Sequence, residues 1–153
     1  MPTSIAQIEA QAQAVADGLP QMFGKKGPGD GNRFTSHYMS LLNERVIADS
    51  GADVVEQVIC GDTNQSVDFY VRSEKTVLEV ELSLYNVHTN LERDIFKVLL
   101  ARAGGEDINT LVLLGKEPAV ARHEQPSSRA LIGWVKRHHD LDVIIHEIRK
   151  PRA

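Results

Sequence analysis

Three carboxylates, Asp68, Glu79 and Glu81, stand inside stretches that otherwise read as β-strands, VDFYV and TVLEVELSLY. Strand side chains alternate between faces. Val67, Phe69 and Val71 therefore share one side and Asp68, Tyr70 and Arg72 the other, while Leu78, Val80, Leu82 and Leu84 oppose Glu79, Glu81, Ser83 and Tyr85. If the stretches pair as an antiparallel hairpin, both apolar sets must point into one core, because a slip of one residue would expose one of them. That register requires an even-numbered loop and gathers the three acids on one face. Such crowding has a cost, since Glu is depleted in strands and neighbouring like charges repel. A divalent cation reverses the balance: Mg²⁺ is held by one or two carboxylates and completed by water and phosphate oxygens. The competing reading is a solvated sheet face with Arg72 and Lys75 offsetting the charge.

The elements that must carry these residues follow from periodicity. SIAQIEAQAQAVADGLPQMF places Ile5, Ile8, Ala12, Val15 and Leu19 on one helical face. GKKGPGDGN, residues 24–32, is too rich in Gly and Pro for a regular element and reads as a loop. From Arg33 to Ser50, Phe34, Tyr38, Leu41, Leu42 and Val46 predict a second helix, with Gly51 as its stop. DVVEQVIC, SVDFYVR and TVLEVELSLY predict three successive strands. TNLERDIFKVLLARAGG predicts a helix opened by a Thr89/Glu92 capping box and closed by two glycines. NTLVLLG predicts a buried strand, SSRALIGWVKRHH a capped helix around Leu131, Trp134 and Val135, and DVIIHEIR a last strand. The result is an α/β chain with a mixed central sheet flanked by helices, in the order ααβββαβαβ. Its length suits one domain over residues 1–153, with a helix and loop in 1–32 and the core in 33–150.

The helix, three-strand meander, helix and strand, with Asp68 on the second strand and Glu79-x-Glu81 on the third, resemble the core of the PD-(D/E)XK superfamily, the restriction-endonuclease-like nucleases. The resemblance covers residues 33–114. Val67 stands where that motif has proline, and Glu81 where it most often has lysine, a position that some restriction enzymes of this fold fill with Glu or Gln. It implies a Mg²⁺-dependent nuclease, with Mn²⁺ able to substitute, that hydrolyses phosphodiester bonds, DNA being the expected substrate. Asp68 and Glu79 would be metal ligands and Glu81 a further ligand or a group that positions water. The helix before the meander often adds a glutamate in this family, here Glu44, and Lys97 on the following helix would replace the missing motif lysine. The alternative is a nuclease-like domain without catalysis that binds nucleic acid or a partner protein. A cutter of both strands at this size would work as a homodimer.

Lys25, Lys26, Arg72, Arg93 and Lys97 are the candidate phosphate contacts, Arg93 and Lys97 sharing a helix face four residues apart. Lys25 and Lys26 do not form a P-loop, because no strand leads in and no Ser or Thr follows. The formal charge of −4 argues against a chain that coats nucleic acid along its whole surface. His138, His139 and His146 lack the spacing of a zinc site, and Lys136, Arg137 and the two adjacent histidines complement a helix C-terminus. The lone Cys60 excludes an internal disulfide and reads as a buried thiol. With neither a membrane-spanning run nor a secretory leader in view, the expected location is the cytoplasm. No nucleophile elbow and no Rossmann glycine fingerprint appears.

Overall fold

The computed structural model describes residues 3–24 and 30–151. It contains α1 (Ile5–Asp17), α2 (Asp30–Ser50), β1 (Val55–Gln57), β2 (Val67–Val71), β3 (Thr76–Glu81), α3 (Val87–Ala103), β4 (Thr110–Lys116), α4 (Ala119–Arg122), α5 (Pro126–His139) and β5 (Asp142–Ile148). The five strands form one mixed sheet in the order β1-β2-β3-β4-β5. The first three pair antiparallel as a meander, and β4 and β5 run parallel to β3. Parallel pairing needs crossovers, which α3 supplies before β4, and α4 with α5 before β5. The protein is therefore α/β, with helices on both faces of a mixed sheet.

Two apolar clusters cover those faces. On one, Ile5, Ile8, Ala12 and Val15 of α1 and Tyr38, Leu42 and Val46 of α2 pack on Phe69, Val71, Leu78, Val112 and Leu114. On the other, Leu91, Ile95 and Val98 of α3 and Val135 of α5 pack on Tyr70, Val77, Leu111 and Leu113. Ser4 caps α1 through a reciprocal bond with Gln7, and the Tyr38 hydroxyl donates to Ala12 O at 2.8 Å, locking α1 to α2. The apolar stripe of α1 is thus spent inside the molecule. No helix among the described residues is long and apolar enough to cross a membrane.

Several element limits differ from the sequence reading. Only Val55–Gln57 of DVVEQVIC is strand, because residues 52–54 wind into a 3-10 turn and Glu56 takes a left-handed φ of 50°. α3 begins at Val87, ahead of Thr89, with Asn86 in left-handed geometry and no side-chain cap; Glu92 instead meets His88 Nε2 at 2.6 Å. α5 opens on Pro126, whose missing N–H suits the first helical position, and Trp134 is largely outside the core at 42% exposure. The short helix α4 was not expected. Gly115 lets it dock, since a Cβ there would lie 2.4 Å from the Ala119 Cβ.

β3 was expected to run to Tyr85 but stops at Glu81. Its antiparallel partner gives out first: the last pair on that side is Phe69↔Leu78. Beyond it the two strands separate, and side chains take over the hydrogen bonds of the ladder.

Candidate functional site

The hairpin loop spans four residues, 72–75, with Lys75 in left-handed geometry, so the register keeps Asp68, Glu79 and Glu81 on the face opposite Phe69 and Leu78. That face is not solvated. α3 lies over it, which turns a polar sheet face into a nearly closed ionic cluster.

Where β2 and β3 part, Asp68 Oδ2 accepts the Val80 N–H at 2.9 Å, and Glu79 Oε1 accepts the Asp68 N–H at 3.3 Å. Each carboxylate thereby satisfies a backbone donor that the splayed ladder leaves without a carbonyl. Lys97 reaches in from α3, with its Nζ 3.0 Å from Glu79 Oε1 and 2.9 Å from Ser66 O. Glu79 is 3% exposed and Lys97 8%. Glu81, nearer the rim, is gripped by Arg93 Nη2 at 2.5 Å.

Sequence reasoning missed one member. Asp94 is 0% exposed, and its Oδ1 lies 3.4 Å from Arg93 Nε and 3.7 Å from Lys97 Nζ. Its Oδ2 is buried without a hydrogen-bond partner. The signal was present in the spacing: Asp94 stands three residues after Leu91 and four before Val98, at the border of the apolar stripe of Leu91, Ile95 and Val98, and a carboxylate at such a position in a well-patterned helix needs a partner.

Four carboxylates thus share two cations, and the electrostatics follow. Burial pushes the Asp68 carboxyl above its ordinary range, partly offset by the Val80 N–H and by Lys97. Glu79 is pushed well up by burial and then by the charges of Asp68 and Asp94, against Lys97. Glu81 rises to about 8 through burial and the adjoining Asp94 carboxyl, against Arg93. Burial would lower Lys97, but Glu79 and Asp94 outweigh it and hold the ammonium protonated above the usual lysine value. Lys97 is consequently a fixed positive donor and not a base.

Other sequence candidates stand apart. Glu44 is exposed on α2, the helix layer covering the opposite face of the sheet, so it does not join the acids. Arg72 sits at the far end of β2, over the Tyr70 ring at 4.6 Å and 3.6 Å from Glu106. Lys25 and Lys26 lie outside the described residues. Cys60 is buried, and burial raises its thiol.

As the side chains stand, no three His, Cys, Asp or Glu groups among the described residues are arranged to hold a metal ion. Lys97 and Arg93 occupy the carboxylate oxygens that would turn towards one. The donor set nonetheless suits Mg²⁺ or Mn²⁺, because it is all oxygen, carries excess negative charge and includes the unpartnered Asp94 Oδ2, and Mg²⁺ needs only one or two protein carboxylates.

Comparison of the chain with models of protein families, with curated proteins and with solved structures finds no match to any of them.

Proposed function

We propose that this chain is a metal-dependent nuclease of restriction-endonuclease-like core, hydrolysing phosphodiester bonds in DNA, with Asp68, Glu79 and Lys97 at its centre. The observation carrying the proposal is the convergence of an Asp and a Glu from the parting ends of a β-hairpin with a buried Lys from the next helix, 3.0 Å from the Glu. Asp68 and Glu79 would hold the Mg²⁺, which when bound polarises a phosphate oxygen and lowers the pKa of an attached water. Lys97, kept charged by Glu79 and Asp94, supplies a fixed donor for a phosphate oxygen or the attacking water. Glu81, at the rim, would orient that water, and Arg93, half exposed, would meet a neighbouring phosphate.

The second reading, a nuclease-like domain that binds without cleaving, is favoured by one feature: Glu79 and Lys97 already form a buried pair that neutralises itself. Supercoiled DNA incubated with Mn²⁺ and read as nicked and linear forms decides between them. The nuclease reading expects cleavage by the wild type and its loss in Asp68→Asn and Glu79→Gln. Metal-stimulated DNA binding with no cleavage of duplex or single strands would establish the binding domain instead.

A further inference from the structure

The two edges of the sheet, β1 and β5, are built differently. β1 is three residues long and is distorted by the left-handed Glu56, features that blunt an edge against pairing. β5 runs for seven residues, stays in register with β4 throughout and carries neither proline nor lysine. The Asp142 N–H donates to Asn109 O at 3.0 Å and Ile148 O accepts the Glu117 N–H at 2.9 Å, so the even-numbered residues of β5 turn their backbone groups towards β4. Those of Val143, Ile145 and Glu147 therefore point away from the sheet, where no strand among the described residues meets them. Arg149, the next outward residue, shows what such groups need: its N–H donates to Gln13 Oε1 at 2.8 Å and its carbonyl accepts from Gln13 Nε2 at 2.9 Å. The Gln13 amide closes the end of the edge and leaves its middle open. The apolar surface also runs out there. Val143 and Ile145 pack on the α3 cluster yet are only partly buried, and Ile144 on the opposite face is 41% exposed.

We infer that β5 pairs antiparallel with β5 of a second copy of this chain, about a two-fold axis at Ile144, to make one continuous sheet across both copies. Such an axis, normal to the sheet, sets each residue opposite one on the same face. An axis at Ile145 would set Ile144 against His146 and Val143 against Glu147, apolar against polar. An axis at Ile144 sets Val143 against Ile145, Ile144 against itself and Asp142 against His146, which matches apolar with apolar and an acid with an imidazole. It also brings the outward backbone groups of Val143 to those of Ile145 of the second copy, a pairing in which both N–H···O bonds are exchanged. Glu79 lies level with Leu113 and Ile145 in the register, so both acid clusters come to one face of the joined sheet, near the level of the axis and roughly 24 Å apart across the intervening strands. The pairing goes beyond the proposed nuclease activity and holds equally for a domain that binds without cleaving.

Analytical ultracentrifugation of the full chain at about 100 µM tests it, a concentration suited to the small area that a strand pair buries. The wild type should sediment as a dimer. Ile144→Lys sets two ammonium groups opposite each other at the axis and should return the chain to a monomer, with its circular dichroism spectrum unchanged because residue 144 is exposed. Ile47→Lys, the same change at an exposed isoleucine of α2, should leave the dimer intact. Ile144→Cys should form a disulfide between copies under mild oxidation, since facing residues at a non-hydrogen-bonded antiparallel position lie about 4.5 Å apart, and the buried Cys60 should not compete. A wild type that stays monomeric would overturn the inference, as would a dimer that survives Ile144→Lys. A dimer lost in Ile144→Lys but not cross-linked through Ile144→Cys would overturn the axis at Ile144. Absence of DNA cleavage would bear only on the nuclease reading.

Discussion

Replacing Lys97 by Met keeps the length of the side chain and removes its charge. The ammonium has three partners, Glu79 Oε1 at 3.0 Å, Ser66 O at 2.9 Å and Asp94 Oδ1 at 3.7 Å, and its loss leaves two enclosed carboxylates facing each other with only Arg93 nearby. Breaking a buried pair from one side costs about 3–5 kcal/mol. In a chain of this length that lowers the melting temperature by roughly 6 to 20 °C. Glu79 can escape part of the penalty by taking a proton, since burial and its acidic neighbours already favour the neutral form. The loss should therefore be smaller at pH 5 than at pH 8. Glu79→Gln combined with Lys97→Met removes both charges, and the double variant should be more stable than the sum of the singles by about 1 kcal/mol or more. Urea unfolding of the four proteins at both pH values measures this. A Lys97→Met penalty below about 1 kcal/mol at pH 8, or strict additivity in the cycle, would refute the view that this pair organises the cluster.

Glu81→Ala should abolish most cleavage in the Mn²⁺ plasmid assay while leaving urea stability unchanged or higher, because it removes one of several crowded carboxylates. Glu81 titrates near 8 in the folded chain against an ordinary 4.5, so it favours the folded state most below about 4.5, and that contribution drains as pH climbs through 8. Metal-free wild type should lose melting temperature between pH 6.5 and 8.5, and Glu81→Gln should lose distinctly less, as scanning calorimetry would show. Gly115→Ala drives a methyl onto Ala119 at 2.4 Å and should destabilise by about 1–3 kcal/mol, read from the urea midpoint. If the chain binds DNA through Arg93, Arg93→Gln should reduce the slope of log affinity against log salt by about one in fluorescence anisotropy.

The alternation of β2 and β3 was enough to group Asp68 with Glu79 and Glu81. Side-chain direction in a strand is a local property, and the apolar residues Phe69, Val71, Leu78 and Val80 left one workable register. Helical periodicity likewise located α1, α2, α3 and α5, and the order of strands and helices gave a mixed sheet, in which the structure pairs β4 and β5 parallel to β3 and to each other. Element ends were harder to read. The end of β3 depends on where β2 ceases to pair, and the start of α3 is set by a left-handed Asn86 and not by a capping side chain.

What the sequence left open was the layer on each side of the sheet. Local pattern cannot say which helix covers which face, because packing partners distant in the chain decide it. Only the tertiary structure set α3 over the acids and α2 on the far side, which brought in Lys97, Arg93 and Asp94 and left Glu44 in solvent. The same placement changed the chemistry of the carboxylates. A strand that could have presented three ordinary surface acids instead holds them in an enclosed cluster, where burial and mutual repulsion raise their affinity for protons and suit them to a cation.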